Sequence, residues 1–195
     1  MEGPSGEDLY THLLQASLKP DSKVLEAGCA HGPDAVEHVN QVALWTGYDW
    51  MEDFLKVSRE KVPSGRFVCW DGKTQVPEVL QGSYNLLVSR RGPTSFLNHL
   101  QTFAAPEALV LCIYPTSEVR QKVLDRLQEA GADLLGEWTF RVRGHLPEFQ
   151  DFVLHQRWNA DERTMQALKE EWSLQATKHG FPFFEERYIV QARMP

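Results

Sequence analysis

The 195-residue sequence has few of the features that mark membrane, secreted or metal-binding proteins. No apolar run approaches the length of a membrane span, and the first residues lack the basic and apolar regions of a signal peptide. Its three cysteines form no C-x-x-C pair, and its seven histidines show no H-x-x-x-H spacing. These absences predict a cytoplasmic protein that holds no metal and in which Cys29, Cys69 and Cys112 are reduced, buried thiols.

Basic charge is also scarce, because 20 lysines and arginines face 27 acidic residues and the net charge is −7. Nucleic-acid binding draws much of its affinity from neutralised phosphates, so this balance disfavours RNA and DNA as partners. The composition, 42% hydrophobic and 24% charged, is that of an ordinary globular chain without internal repeats. It predicts a single domain over residues 1–195 and leaves a homodimer open.

The strongest positive signal is the turn that follows the first apolar run. This turn contains Gly28 and Gly32, and the next apolar run, over 42–48, ends in Asp49. Strand, glycine turn, helix, strand and terminal carboxylate make up half of a nucleotide-binding α/β unit. Glycine lets the backbone approach a ligand closely, and the carboxylate can bind ribose hydroxyls. The pattern therefore predicts a cofactor that contains a nucleoside.

The spacing of the turn distinguishes between cofactors. The dinucleotide pattern G-x-G-x-x-G matches at one of three positions, which hold Gly28, Ala30 and Pro33. The pattern acid-x-G-x-G-x-G matches at three of four, because its positions hold Glu26, Gly28, Ala30 and Gly32. This stretch resembles the first motif of the class I S-adenosylmethionine-dependent methyltransferases, and no phosphate-binding G-x-x-x-x-G-K-[ST] loop occurs. The resemblance implies S-adenosylmethionine as the cofactor.

The resemblance covers residues 23–114 by motifs, as the cofactor-binding half, and the remainder by element order. It implies a doubly wound, mostly parallel seven-stranded sheet of the Rossmann-like methyltransferase type with an antiparallel last strand. Residues 145–184 are then a helical insertion before that strand, acting as a lid or substrate wall, or else as extra core or a dimer face. Two helices are predicted there, over 148–155 and 161–179, together with the aromatic residues Trp158, Trp172, Phe181, Phe183 and Phe184.

Periodicity places the other elements. Helices are predicted over 7–18, 33–39, 50–59, 94–103 and 117–130. Strands are predicted over 23–27, 42–49, 66–70, 83–89, 108–114, 133–142 and 185–193.

Transferred residue by residue, the resemblance implies that the cofactor contacts come from the carboxyl ends of the first four strands. The set comprises Glu26, Gly28, Cys29, Ala30, Gly32, Asp49, Trp50, Asp71, Gly72 and Ser89. Asp71 matches an acid that accepts a hydrogen bond from the adenine amine in the family, although Asp-Gly is also an ordinary turn signal. Near the start of the fourth strand, where the family often has an acid, this chain has Asn85.

Candidates for substrate binding follow the fourth strand, in the loop Ser89-Arg90-Arg91-Gly92-Pro93. This loop borders the transferred methyl group in the family. It lacks the [ND]-P-P-[YF] sequence of the enzymes that methylate amino groups of DNA and glutamine, which disfavours those activities. We expect Arg90 and Arg91 to clamp a carboxylate or phosphate, the alternative being that they are surface charges. His31 and Tyr114 are the candidates for a catalytic base.

The sequence thus predicts an S-adenosylmethionine-dependent methyltransferase that acts on a small cytoplasmic metabolite, with the arginine pair favouring an anionic one. Two alternatives stay open. One is a methyltransferase of RNA or protein; Gly-Cys-Ala is similar to the loop of RNA ribose 2′-O-methyltransferases, but the lysine that they need near the fifth strand is absent. The other is a protein that binds S-adenosylmethionine or S-adenosylhomocysteine without catalysis. The sequence does not identify the methyl acceptor.

Overall fold

The computed structural model describes residues 3–156 and 162–195. Seven strands form one sheet in the order β3-β2-β1-β4-β5-β7-β6. Their bounds are β1 Lys23–Ala27, β2 Leu44–Asp49, β3 Arg66–Cys69, β4 Tyr84–Arg90, β5 Ala104–Tyr114, β6 Asp133–Leu146 and β7 Phe181–Arg193. The first five strands run parallel, and β7 pairs antiparallel with β5. The predicted doubly wound, mostly parallel sheet with an antiparallel last strand is confirmed.

Helices alternate with the strands. Their bounds are α1 Gly6–Ser17, α2 Pro33–His38, α3 Glu52–Lys61, α4 Leu100–Phe103, α5 Arg120–Glu129, α6 Phe149–Gln156 and α7 Glu162–Gln175. An α-helix was predicted over 94–103, but the prediction is wrong for the first six residues. Thr94–His99 forms a 3-10 helix, which begins directly after Pro93. The predicted start of the last long helix at Asp161, and Trp158 before it, lie outside the described residues.

The central strands are apolar because they are covered on both faces. In β1, β4 and β5 nearly every residue that pairs with a neighbouring strand is buried, which is why these segments are continuous apolar runs rather than alternating ones. Cys29 and Cys112 are buried and all three thiols are free. The prediction of burial is wrong for Cys69, which is exposed because β3 is an edge strand with a neighbour on one side only.

The chain divides into two compact units. One comprises residues 6–139 and 187–195 and contains the five parallel strands. The other comprises the described residues of 1–5 and 140–186. In it, Phe152, Leu168 and Phe181 form a small core against which Trp172 packs, with the rings of Phe152 and Phe181 4.2 Å apart. The insertion predicted over 145–184 falls in this second unit, and its role as a lid or substrate wall stays a prediction. Its predicted bounds are too wide for a helical segment, because β6 continues to Leu146, α7 ends at Gln175 and β7 already begins at Phe181. Among the described residues, no helix combines the length and the apolar character that spanning a bilayer needs.

Candidate functional site

A cavity of about 860 Å³ opens at the carboxyl ends of β1, β2, β3 and β4, within the larger unit. The strand order reverses between β1 and β4, and open α/β sheets bind their ligands in the crevice at such a switch point. Its size lies in the range of cofactor and small-molecule pockets. The lining residues are Gly28, Ala30, Tyr48, Asp49, Trp50, Trp70, Asp71, Lys73, Arg90, Arg91, Gly92, Pro93 and Ser95.

The turn after β1 is shaped by backbone conformations that favour glycine. Gly28 has a φ of 69°, and a Cβ atom there would lie 2.9 Å from Cα of Gly92 and 3.1 Å from Cδ of Pro93. Gly28 therefore allows the turn to pack against the loop that follows β4. Ala30 has a φ of 46°, so it adopts the left-handed conformation although it replaces the glycine of the motif. The turn keeps the shape of a glycine turn at this position.

Asp49 ties this turn to the end of β2. Its Oδ2 accepts a hydrogen bond from the backbone N–H of Ala30 at 3.0 Å, and its Oδ1 accepts one from the N–H of Met51 at 3.0 Å. The residue is 7% exposed and lines the cavity. Each carboxylate oxygen has two lone pairs, so each can accept a further bond from a ligand hydroxyl. The carboxylate is thus both oriented by the backbone and available to the cavity.

Aromatic and acidic side chains make up the wall beyond Asp49. Trp50 is 70% exposed, whereas Trp70 is 5% exposed and lies 4.9 Å from Tyr48 between ring centroids. Oδ1 of Asp71 accepts hydrogen bonds from the N–H groups of Lys73 at 2.9 Å and Thr74 at 3.2 Å, and these bonds hold the pKa of this carboxyl below its ordinary value. The interpretation of Asp71-Gly72 as a turn is therefore correct, and Asp71 also lines the cavity.

Tyr48 contributes a hydroxyl that has no hydrogen-bond partner among residues 3–156 and 162–195. The residue lines the cavity, and burial raises the pKa of its phenol. The phenol therefore stays protonated, and its O–H is a donor for which the described residues supply no acceptor.

Glu26, the first residue of the motif, lies in the core instead of the cavity wall. It is 2% exposed, and its Oε2 accepts a hydrogen bond from Nε1 of Trp45 at 3.0 Å. Burial raises its pKa well above the ordinary value, and the nearby Asp34 raises it further. The carboxyl of Glu26 therefore favours its protonated, neutral form and does not line the cavity.

Four other predicted cofactor residues also lie behind the wall. The buried Cys29 packs against β2, where a Cβ atom at Gly47 would lie 2.8 Å from its Sγ. Gly32 packs against Ser58, whose Oγ would lie 3.2 Å from an added Cβ. Two residues are engaged in hydrogen bonds of the scaffold: Ser89 Oγ donates to the carbonyl of Ala27 at 3.1 Å, and the carbonyl of Gly72 lies 3.2 Å from Nε2 of His99. These four residues do not line the cavity, but their packing and hydrogen bonds support the residues that do.

At the other side of the cavity, Arg90 is held by the chain's own acids. Its Nε donates to Asp34 at 3.1 Å, its Nη1 to Glu7 at 2.9 Å, and its Nη2 to Thr11 at 3.2 Å. Nη2 also lies 2.9 Å from Oδ1 of Asp34, and the guanidinium stands over the ring of Tyr10 at 4.6 Å. The predicted ligand clamp is thus occupied internally at Arg90.

Arg91 is placed differently. Its backbone has a φ of 60°, and its side chain is 54% exposed with Nε 3.6 Å from Oε1 of Glu7. It lines the cavity together with Arg90. The end of β4 therefore carries an arginine that is engaged, Arg90, and the loop after it carries one that is exposed, Arg91.

The two candidates for a base are not brought to the cavity wall. His31 is exposed and its ring lies 4.1 Å from that of Phe54. Tyr114 is 1% exposed beside Tyr188, and burial raises the pKa of its phenol well above the ordinary value. Asn85, the departure from the family pattern, lies at the opposite ends of the strands, where its Oδ1 accepts a hydrogen bond from the N–H of Lys23 at 2.8 Å.

Sequence reasoning missed four residues of the wall, namely Tyr48, Trp70, Lys73 and Ser95, and it gave Gly92 and Pro93 only as members of the loop after the fourth strand. Two of them had a usable signal, because Tyr48 and Trp70 directly precede the strand-end acids Asp49 and Asp71. Within the described part of the chain, no group of three or more histidine, cysteine or acidic residues has a metal-binding arrangement.

The sequence matches no protein-family model and no curated protein. Among solved structures it is similar to a functionally unknown protein from Deinococcus radiodurans, with 36% identity, a TM-score of 0.86, and coverage of 99% of this chain and 89% of that one. A putative methyltransferase from Bacillus halodurans is 19% identical, with a TM-score of 0.75 and coverage of 97% and 100%. A TehB-like S-adenosylmethionine-dependent methyltransferase from Corynebacterium glutamicum is 13% identical, with a TM-score of 0.60 and coverage of 95% and 87%. The predicted methyltransferase fold is confirmed.

Proposed function

We propose that the chain is an S-adenosylmethionine-dependent methyltransferase of a small metabolite. It belongs to the same family as the Deinococcus radiodurans protein, and it has the fold of class I S-adenosylmethionine-dependent methyltransferases. The single observation that carries the proposal is Asp49. Its carboxylate closes the glycine turn through the N–H of Ala30 and still lines the cavity. This is the position from which a carboxylate binds ribose hydroxyls in nucleotide-binding α/β units.

The wall of the cavity fits the parts of this cofactor. Asp49 would hold the ribose, and the indoles of Trp50 and Trp70 would offer flat apolar faces to the adenine. Asp71 would accept a hydrogen bond from the adenine amine through an oxygen of its ionised carboxylate. The turn at Gly28 would present backbone to the amino-acid part, and it keeps this shape because a side chain at Gly28 would collide with Gly92 and Pro93.

The contribution of the chain to methyl transfer is alignment and exclusion of water. When bound, S-adenosylmethionine supplies a sulfonium methyl group that is already activated for displacement. The protein would then have to hold the acceptor in line and exclude water from the methyl group, and Tyr48, Trp70 and Pro93 contribute apolar residues to the wall for this purpose. No histidine is among the described residues that line the cavity. An acceptor that is already ionised suits such a wall.

The acceptor side of the cavity favours an anionic metabolite. Arg90 and Arg91 line it next to Gly92 and Pro93, and Lys73 adds a third cation to the wall. Guanidinium groups bind carboxylates and phosphates with paired hydrogen bonds. The net charge of −7 opposes a polyanionic acceptor such as RNA, so a small anion is the better match.

Isothermal titration of the purified protein with S-adenosylmethionine, S-adenosylhomocysteine and NAD tests the cofactor. We expect saturable binding of both adenosyl ligands and none of NAD. An acceptor screen weighted toward carboxylates and phosphates, followed by mass spectrometry for a gain of one methyl group, then tests the reaction. Absence of binding by either adenosyl ligand would overturn the proposal.

A further inference from the structure

Three arginines converge on one carboxylate at the acceptor side of the cavity. Oε2 of Glu7 lies 2.9 Å from Nη1 of Arg90, and Oε1 lies 2.7 Å from Nε of Arg187 and 3.6 Å from Nε of Arg91. The arginines come from β4, the loop after it and β7, whereas Glu7 belongs to the first turn of α1. Residues that are distant in the sequence thus meet at a single anionic group.

This arrangement has the form of an anion-binding site. Arginine side chains are permanently charged, and their planar donors suit both oxygens of a carboxylate. Arg90 and Arg187 are only 17% and 12% exposed, so their positions are set by the protein interior. Arg90 is also anchored by the buried Asp34 and stacked over Tyr10. Removal of Glu7 would therefore leave the guanidinium groups of Arg90 and Arg187 beside the position that its carboxylate occupies.

We call Arg90, Arg91 and Arg187 the arginine cluster, and two of its three members line the cavity. Arg90 and Arg91 belong to the cavity wall, and Glu7 reaches them from α1. Exchange of one carboxylate for another keeps the number of ion pairs constant. An unpaired cluster would instead place like charges together at a partly buried site, which is costly.

We propose that Glu7 is a built-in substitute for the anionic group of the acceptor, so that a carboxylate or phosphate of the substrate binds to the arginine cluster in place of Glu7. The identity of this ligand as a methyl acceptor rests on the proposed function. Glu7, in the first turn of α1, loses its ion pairs when the anion binds. Because an anion binds only to molecules in which Glu7 is displaced, the apparent dissociation constant is the intrinsic constant divided by the fraction of such molecules. Neutral metabolites do not displace Glu7, so the device selects for charge.

Glu7→Gln tests the proposal, with inorganic phosphate and malonate as probes in isothermal titrations at low ionic strength. Because the internal competitor loses its charge, we expect both probes to bind about tenfold tighter than to the wild type. The matched control is Glu129→Gln, which removes the same charge from an exposed position at the end of α5. Unchanged or weaker binding by Glu7→Gln would overturn the proposal and leave Glu7 as an anchor of α1.

Two further measurements separate displacement from altered stability. Adding Arg187→Gln to the Glu7→Gln protein should cancel the gain in phosphate affinity while the dissociation constant for S-adenosylmethionine stays the same. In the wild type, phosphate should accelerate amide hydrogen exchange in residues 10–13, whose N–H groups are the first to be bonded within α1, because the helix loses its anchor. This second measurement does not depend on the folding of a variant, and unchanged exchange at saturating phosphate would contradict the displacement of Glu7.

The outcomes also distinguish this inference from the proposed function. Tighter anion binding by Glu7→Gln without any binding of S-adenosylmethionine to the wild type would sustain the anion site and refute the methyltransferase. Binding of S-adenosylmethionine without a response of phosphate affinity to Glu7→Gln would refute the anion site alone.

Discussion

The two sides of the cavity use their charged groups in opposite ways. At the Asp49 side, the carboxylate accepts two backbone N–H groups and keeps lone pairs for a ligand. At the Arg90 side, each guanidinium nitrogen contacts an acid or hydroxyl of the chain itself. One side is preformed for a ligand, and the other is occupied by the protein. The position of a charged residue at a strand end therefore does not reveal whether its charge is available.

The largest expected effect comes from removing Arg90. Arg90→Met leaves Asp34, 3% exposed, without its cation, whereas Glu7 keeps its ion pair with Arg187. Breaking a buried ion pair on one side costs about 3–5 kcal/mol, so we expect the free energy of unfolding to fall by that amount in urea titrations. The same substitution at Arg120, whose ion pair with Glu137 is 46% and 30% exposed, should cost about 0–1 kcal/mol. Equal costs for the two variants would mean that Arg90 is not committed to the scaffold.

A second test disrupts the preformed side. In Gly28→Leu the side chain collides with Gly92 and Pro93, so the loop after β4 has to move. Overpacking of this kind costs about 1–3 kcal/mol, so we expect the binding of S-adenosylmethionine, measured by titration, to weaken by that amount. Gly131→Leu is the control, because its φ of 76° is equally left-handed while no atom lies within 4 Å of an added Cβ. A similar loss of affinity in the control would assign the effect to general instability.

A third change separates the two strand-end acids. Asp49→Ala removes a carboxylate that lines the cavity, and stranding its partners should weaken S-adenosylmethionine binding by about 1–3 kcal/mol. Glu26→Gln keeps an acceptor for Trp45 in the core and should leave the dissociation constant unchanged. The reverse order of effects would place Glu26, and not Asp49, at the cofactor.

The smallest effect concerns pH. Burial raises the pKa of Glu26 above its ordinary value of 4.5, so the folded protein binds this proton more tightly than the unfolded chain. The stability contributed by Glu26 is then complete below that value and is lost as the pH rises toward the pKa in the folded state. Relative to Glu26→Gln, the free energy of unfolding of the wild type should fall by at most about 1.4 kcal/mol per pH unit in this interval. Parallel pH profiles of the two proteins would show that Glu26 is ionised when folded.

Residue patterns predicted most of the cofactor half of the fold. The apolar runs at 23–27 and 83–89 nearly coincide with β1 and β4, and the glycine turn lies where the motif indicates. These features depend on local sequence, since buried strands and left-handed turns impose residue types directly. The 3-10 helix at 94–99 was missed because its apolar spacing also suits an α-helix, and Pro93 is all that marks the tighter turn.

The site was predicted less completely because side-chain partners come from distant segments. Nothing near Arg90 in the sequence indicates Glu7 or Arg187, which lie 83 and 97 positions away. Likewise, the pairing of Glu26 with Trp45 depends on the parallel alignment of β1 with β2. Both contacts exist only once the sheet has formed.

The sequence by itself determined the parallel sheet, the glycine turn and an acid at the tip of β2, because backbone conformation and strand burial are encoded within a few residues. The tertiary structure alone decided which of the charged groups face the cavity. Glu26 is buried beside Trp45, and the carboxylate of Asp49 is oriented by backbone N–H groups at the cavity. Glu7 of α1 forms an ion pair with Arg90 at the end of β4. Availability of a charge depends on what long-range folding brings beside it, and local sequence carries no record of that neighbour.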